Sequence, residues 1–137
     1  MNPSLAAAAA TLVGTAFRLH GRDPETGLDC IGLVTEALHR CGAVPVAPAG
    51  YRRRAMTVDA MLPFAEANGF EAVVRLEQGD VVLAMVNPVQ PHLLVTAEGG
   101  FIHAHSGLGR VTFLPGDLPW PVAGAWRVPI IMPSLGN

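Results

Sequence analysis

Around Phe70 the spacing of apolar residues changes from a helical repeat to short, valine-rich stretches, and that change constrains the fold more than any other feature. Before it, residues 5–13 are strong helix formers, Pro3 stands where a first turn tolerates it, and Gly14 and Thr15 end the run. Ile31, Val34, Leu38 and Cys41 then recur at helical spacing, with Asp29 as N-cap and Gly42 closing the helix. A shorter helix is expected over residues 57–68, carrying Val58, Met61, Leu62 and Ala65 on one face, with Pro63 kinking it or delaying its start. Residues 17–28, with Gly21, Pro24 and Gly27, read as a loop. Beyond Phe70, residues 71–76, 80–86, 92–97, 101–105, 110–114 and 125–128 read as strands separated by Gly, Pro and Asn. Helices first and strands afterwards predict an α+β domain, an antiparallel sheet packed against the early helices. With no internal repeat and no low-complexity linker, a single domain over residues 1–137 is expected.

Composition narrows the function classes. Half the residues are hydrophobic and 15% are charged, which excludes a disordered chain. A net charge of -2 gives no case for nucleic acid as a partner. The alanine-rich start has no positive residue before Arg18 and is shorter than the roughly 20 apolar residues that span a bilayer. It reads as a packed helix, so no signal peptide and no membrane partner are expected, and the chain is expected to be cytoplasmic as synthesised.

Cys30 falls in the first turn of the second helix, directly after its cap, where unpaired N–H groups and the helix dipole favour a thiolate. That is where a nucleophilic cysteine belongs, and its own backbone N–H is a candidate oxyanion donor. Gly27 and Gly32 flank it and would let a substrate approach the backbone. Cys41, at the far end of the same helix, reads as a core residue. Three histidines follow within fourteen residues: His92 opens a strand, and His103 and His105 share one face of the next. A hairpin through Glu98-Gly99-Gly100 would bring His92 and His103 together as base and orienting group, although spacing alone does not choose between His103 and His105. These histidines have neither a clear fourth ligand nor a Cys-x-x-Cys partner, so neither a metal nor any other cofactor is expected. Arg52, Arg53 and Arg54, with Arg18 and Arg22, read as a solvated charged face, and Trp120 and Trp126 as core or rim packing.

The segments Leu12-Val13-Gly14-Thr15-Ala16-Phe17-Arg18 and Thr26-Gly27-Leu28-Asp29-Cys30-Ile31-Gly32-Leu33-Val34 resemble the signature of NlpC/P60 cysteine peptidases. Leu76-Glu77-Gln78-Gly79-Asp80-Val81-Val82 resembles that family's Gly-Asp strand opening, and His92-Leu93-Leu94-Val95 with Phe101-Ile102-His103-Ala104 its histidine strands. The resemblance implies a papain-like α+β core, with N-terminal helices packed on a small antiparallel, barrel-like sheet. It implies Cys30 as nucleophile, His92 as general base and His103 as the residue orienting the base. Phe17, Asp29, Ile31 and His105 then fall on the substrate side. The implied reaction is amide hydrolysis through a thioester, on peptidoglycan peptides of the D-glutamyl-diamino acid type.

Two positions depart from the pattern: Phe17 stands where the family commonly has tyrosine, and Ile31 where it commonly has serine. Losing one transition-state hydrogen bond costs about 10²–10³ in rate, so reduced activity or a changed substrate goes with these departures. Compact members of this kind resemble peptidases carried in phage-like tails, which makes tail proteins an expected class of partner. Two alternatives stand beside the peptidase: a structural tail component with little catalysis, and an amidase or acyl-transfer enzyme acting outside the cell wall.

Overall fold

The computed structural model describes residues 2–43, 45, 58–88 and 90–129. The elements are α1 (Pro3–Ala10), β1 (Arg22–Asp23), β2 (Gly27–Leu28), α2 (Cys30–Arg40), α3 (Val58–Ala67), β3 (Glu71–Ala72), β4 (Val81–Asn87), β5 (Gln90–Ala97), β6 (Gly100–His105), β7 (Arg110–Pro115) and β8 (Val122–Arg127). This is the α+β order that the change of period predicts. β1 and β2 form a two-residue hairpin inside the span read as a loop. β3 stops at Ala72, so most of the expected strand over 71–76 runs outside the sheet. Among the described residues no helix is long and apolar enough to cross a membrane.

The large sheet has six antiparallel strands in the order β3-β8-β4-β5-β6-β7. Strand alternation gives it two faces. Val81, Leu83, Leu93, Val95, Ile102 and Ala104 join Leu5, Ile31 and Val34 in the main core beneath the helices. Val82, Ala84, Leu94 and Phe101 form a smaller cluster on the other face, partly covered by Leu76, Leu114, Leu118 and Trp120. The expected barrel-like closure is not formed. The described sheet stays open because β3, one of its edges, has only two residues and β7, the other, is covered by the connector after α1. There Gly14 N–H donates to Val111 O (2.9 Å), Val111 N–H to Thr15 O (2.8 Å) and Phe17 N–H to Gly109 O (2.8 Å). Phe17 also bridges to Leu28, two residues before Cys30.

Asn2 anchors α1. Its Oδ1 caps the helix by accepting from Leu5 N–H (3.0 Å), and its Nδ2 donates to the carbonyls of Val128 and Pro129 (3.3 Å each). Gly79, at φ +89°, lies so close that a Cβ there would sit 2.1 Å from Asn2 O. The next residue, Asp80, is completely buried and accepts from Arg127 Nε (3.1 Å) and Nη2 (3.0 Å), tying the start of β4 to the end of β8.

Candidate active site

α2 begins where it does because Asp29 caps it, and the cap also fixes the preceding loop. The buried carboxylate accepts from Gly32 N–H (2.8 Å) and Arg22 Nη1 (3.0 Å) through Oδ1, and from His20 N–H (2.8 Å) through Oδ2. The flanking glycines serve this packing. A Cβ on Gly32 would lie 2.0 Å from Gly21 O, and one on Gly21 would lie 2.1 Å from Gly27 O. These glycines therefore admit the chain's own loop against the first turn of α2, where the sequence suggested an approaching substrate.

Cys30 is the first residue of that turn, half-buried against the helix-side core, and both it and Cys41 are free thiols. Backbone N–H groups of Leu93 and Ile31 lie on the side of its sulfur and favour the charged form. The thiol is nevertheless pushed up to about 11, by burial first and then by the Asp29 carboxylate, against the N–H groups and the Arg22 charge. The expected lowering at a helix start is thus reversed. The helix end offers a few partial charges, and the packed interior removes far more hydration from a thiolate. Cys41 packs against the core as expected, and burial raises its thiol too.

Leu93 N–H is available to sulfur because β5 and β6 separate there. Their register runs from Ala97↔Gly100 to Val95↔Ile102 and ends. Below that point the gap is spanned by side chains: His92 Nε2 lies 2.9 Å from His103 Nδ1. Both rings are held neutral. His92 is lowered to about 3 by burial, then by His103 and His105, and His103 to about 4 by burial, then by His105. Trp120 stands edge-on to both, its ring centroid 6.5 Å from that of His92 and 6.1 Å from that of His103. A cleft opens here, lined by Val86, His92, His103, His105, Ser106 and Trp120. Among the described residues no three metal-ligating side chains converge.

No protein-family model and no curated protein matches the sequence. Solved structures do. NlpC1 from Trichomonas vaginalis superposes with a TM-score of 0.62 at 19% identity, over 90% of this chain and 43% of that one. The NlpC/p60 domain of the peptidoglycan hydrolase SagA gives 0.56 at 21% identity, over 91% and 97%. The peptidoglycan hydrolase RipB from Mycobacterium tuberculosis gives 0.59 at 18% identity, over 91% and 63%. The chain has the NlpC/P60 fold. It spans less than half of the Trichomonas protein and nearly all of the SagA domain.

On this NlpC/P60 scaffold Cys30 lies against the main chain beside His92, and His92 meets His103. The other expected site residues are placed differently from one another. Asp29 is engaged in capping and in the loop, and Ile31 is completely buried in the core, so neither faces the cleft. Ile31 turns inward because the apolar stripe of α2 begins with it. Phe17 packs half-buried between Leu28 and the β6–β7 turn. His105 does line the cleft. Trp126 is buried in the core and Trp120 packs at the rim of the outer cluster, as read; Trp120 is also a cleft wall, a role sequence reasoning did not assign. The signal was Pro119-Trp120-Pro121, a stiff connector holding one aromatic ring beside the sheet. Arg18 is exposed and Arg22 is paired with Asp29, while Arg52, Arg53 and Arg54 lie outside the described residues.

Proposed function

We propose that the chain is a cysteine hydrolase that cleaves amide bonds in peptidoglycan peptides, with Cys30 as nucleophile, His92 as base and His103 orienting the base. One arrangement carries this reading: a helix-start cysteine whose thiol senses the Leu93 N–H, one residue from a histidine whose Nε2 lies 2.9 Å from a second histidine. With the shared proton on His92 Nε2, donated to His103 Nδ1, His92 Nδ1 is left as the acceptor for the thiol proton. The resting pair is a neutral thiol and a neutral imidazole, so the proton moves as sulfur attacks the carbonyl carbon. The imidazolium formed in that step is held by His103. The N–H of Cys30, which has no intrahelical partner, stabilises the oxyanion. Collapse returns the proton to the leaving amine, and water activated by His92 then hydrolyses the thioester. The names of the SagA and RipB matches as peptidoglycan hydrolases support the substrate class.

The test is digestion of purified peptidoglycan and soluble muropeptides by wild type and Cys30→Ala, read by mass spectrometry. Products from wild type alone are expected, and their masses identify the bond. Folded wild type that yields none overturns the reading. A second reading, a structural component of a phage-like tail, draws on the thiol being pushed up to about 11. A stable complex with tail proteins that survives Cys30→Ser, without wall cleavage, would select it.

A further inference from the structure

His105 belongs to neither the nucleophile nor the base, yet its ring is held from two sides. Its Nδ1 accepts Leu108 N–H at 3.0 Å. The same turn is closed by Gly109 N–H, which donates to the carbonyls of His105 (2.9 Å) and Ser106 (3.2 Å). Gly107 leaves the ring its room, since a Cβ there would sit 3.0 Å from His105 Cε1. On its other side the ring rests against His103, centroid to centroid 5.3 Å. With Nδ1 used as an acceptor, the neutral ring carries its proton on Nε2. That N–H is a donor fixed in place before anything enters the cleft, and Ser106 lines the same space. Trp120 and Val86 supply an apolar wall.

The geometry points to His105 as the specificity-determining residue: its Nε2–H, seconded by Ser106, binds an oxygen acceptor on the peptide residue beside the scissile amide, while that residue's aliphatic part lies on Trp120 and Val86. The inference rests on the hydrolase reading and adds which feature of the peptide is recognised. A group with no oxygen there would leave a positioned donor unmet, which is how a hydrogen-bonding site rejects analogues.

Asparagine and glutamine separate the two nitrogens. At position 105 an asparagine oxygen can replace Nδ1 as the acceptor for Leu108, whereas a glutamine amide can replace Nε2–H as the donor. Calorimetric titration of Cys30→Ala with soluble muropeptides gives the reference affinity. Adding His105→Asn is expected to weaken it about tenfold, and adding His105→Gln by less than about threefold. Ser106→Ala, which leaves ring and turn untouched, is expected to weaken it by about threefold to fivefold. On the active enzyme His105→Asn is expected to raise KM far more than it lowers kcat, and His105→Gln to recover KM. Equal affinities for Asn and Gln variants, or loss with Gln alone, overturn the inference and make the ring a prop for the turn. Muropeptides cleaved with KM unmoved by His105→Asn overturn it while leaving the hydrolase reading intact. The affinity pattern without cleavage overturns the hydrolase reading and keeps the recognition site. No binding to Cys30→Ala overturns the inference outright.

Discussion

At Cys30 the helix end and the protein interior act on one thiol in opposite directions. The N–H groups of Leu93 and Ile31 favour the thiolate, burial and Asp29 oppose it, and the thiol ends at about 11. Alkylation of Cys30 by iodoacetamide in the free protein is therefore expected to quicken from pH 6 up to about pH 10. Peptide mass spectrometry separates it from Cys41, and a rate already constant below pH 7 would mean a preformed thiolate. The position of Cys30 on its helix was legible in the sequence. Its burial was not, because burial sums over neighbours from α2 and β5 that lie far apart along the chain. The imidazoles carry a second consequence. His92 and His103 are neutral in the folded protein down to about pH 3 and 4, whereas in the unfolded chain they protonate near 6.5. The unfolded state thus binds more protons below that value, and stability, fully present above it, falls as pH drops from 6.5 towards 4. The slope is up to about 1.4 kcal/mol per pH unit for each ring. Urea unfolding at several pH values is expected to show this loss, and His103→Asn to reduce it.

The start of α2 is the element on which the site depends, and its tolerance to change is narrow. Alanine at position 32 gains about 0.5–1 kcal/mol in helix propensity, but its Cβ would lie 2.0 Å from Gly21 O. Backbone cannot yield as a flexible side chain can, so Gly32→Ala is expected to destabilise by about 1–3 kcal/mol or more in denaturant unfolding. A stabilised variant would contradict the close approach. The cap was legible, because Asp29 directly precedes an apolar repeat of helical period. What the glycines approach was not, since composition shows that room exists and says nothing about who fills it. β3 was overread for a related reason. Val73 and Val74 have strand-forming side chains, but the chain leaves β8 after a last bond from Val73 N–H to Ala125 O (2.9 Å), and Val74 is fully exposed.

Across the whole molecule, alternation along the strands told which residues share a face, and the α+β class followed from it. It could not tell which strands are neighbours. β8, last in sequence, lies between β3 and β4, and Arg127 on it reaches Asp80. Arg127→Ala would leave a completely buried carboxylate without its cation, and a clear loss of stability is expected. A thermal shift or urea titration reads it. Glu77, more exposed on the same arginine, contributes little by comparison. The strap over the β7 edge joins the two sides of the candidate site. Gly14 and Phe17 are bonded to the β6–β7 side, and Ala16 and Arg18 to Leu28, just before the cysteine. These amides are expected to open to solvent exchange together, as one cooperative unit. The chain leading into Cys30 and the strand edge beside His103 and His105 would then loosen together, which keeps their relative placement through a local opening.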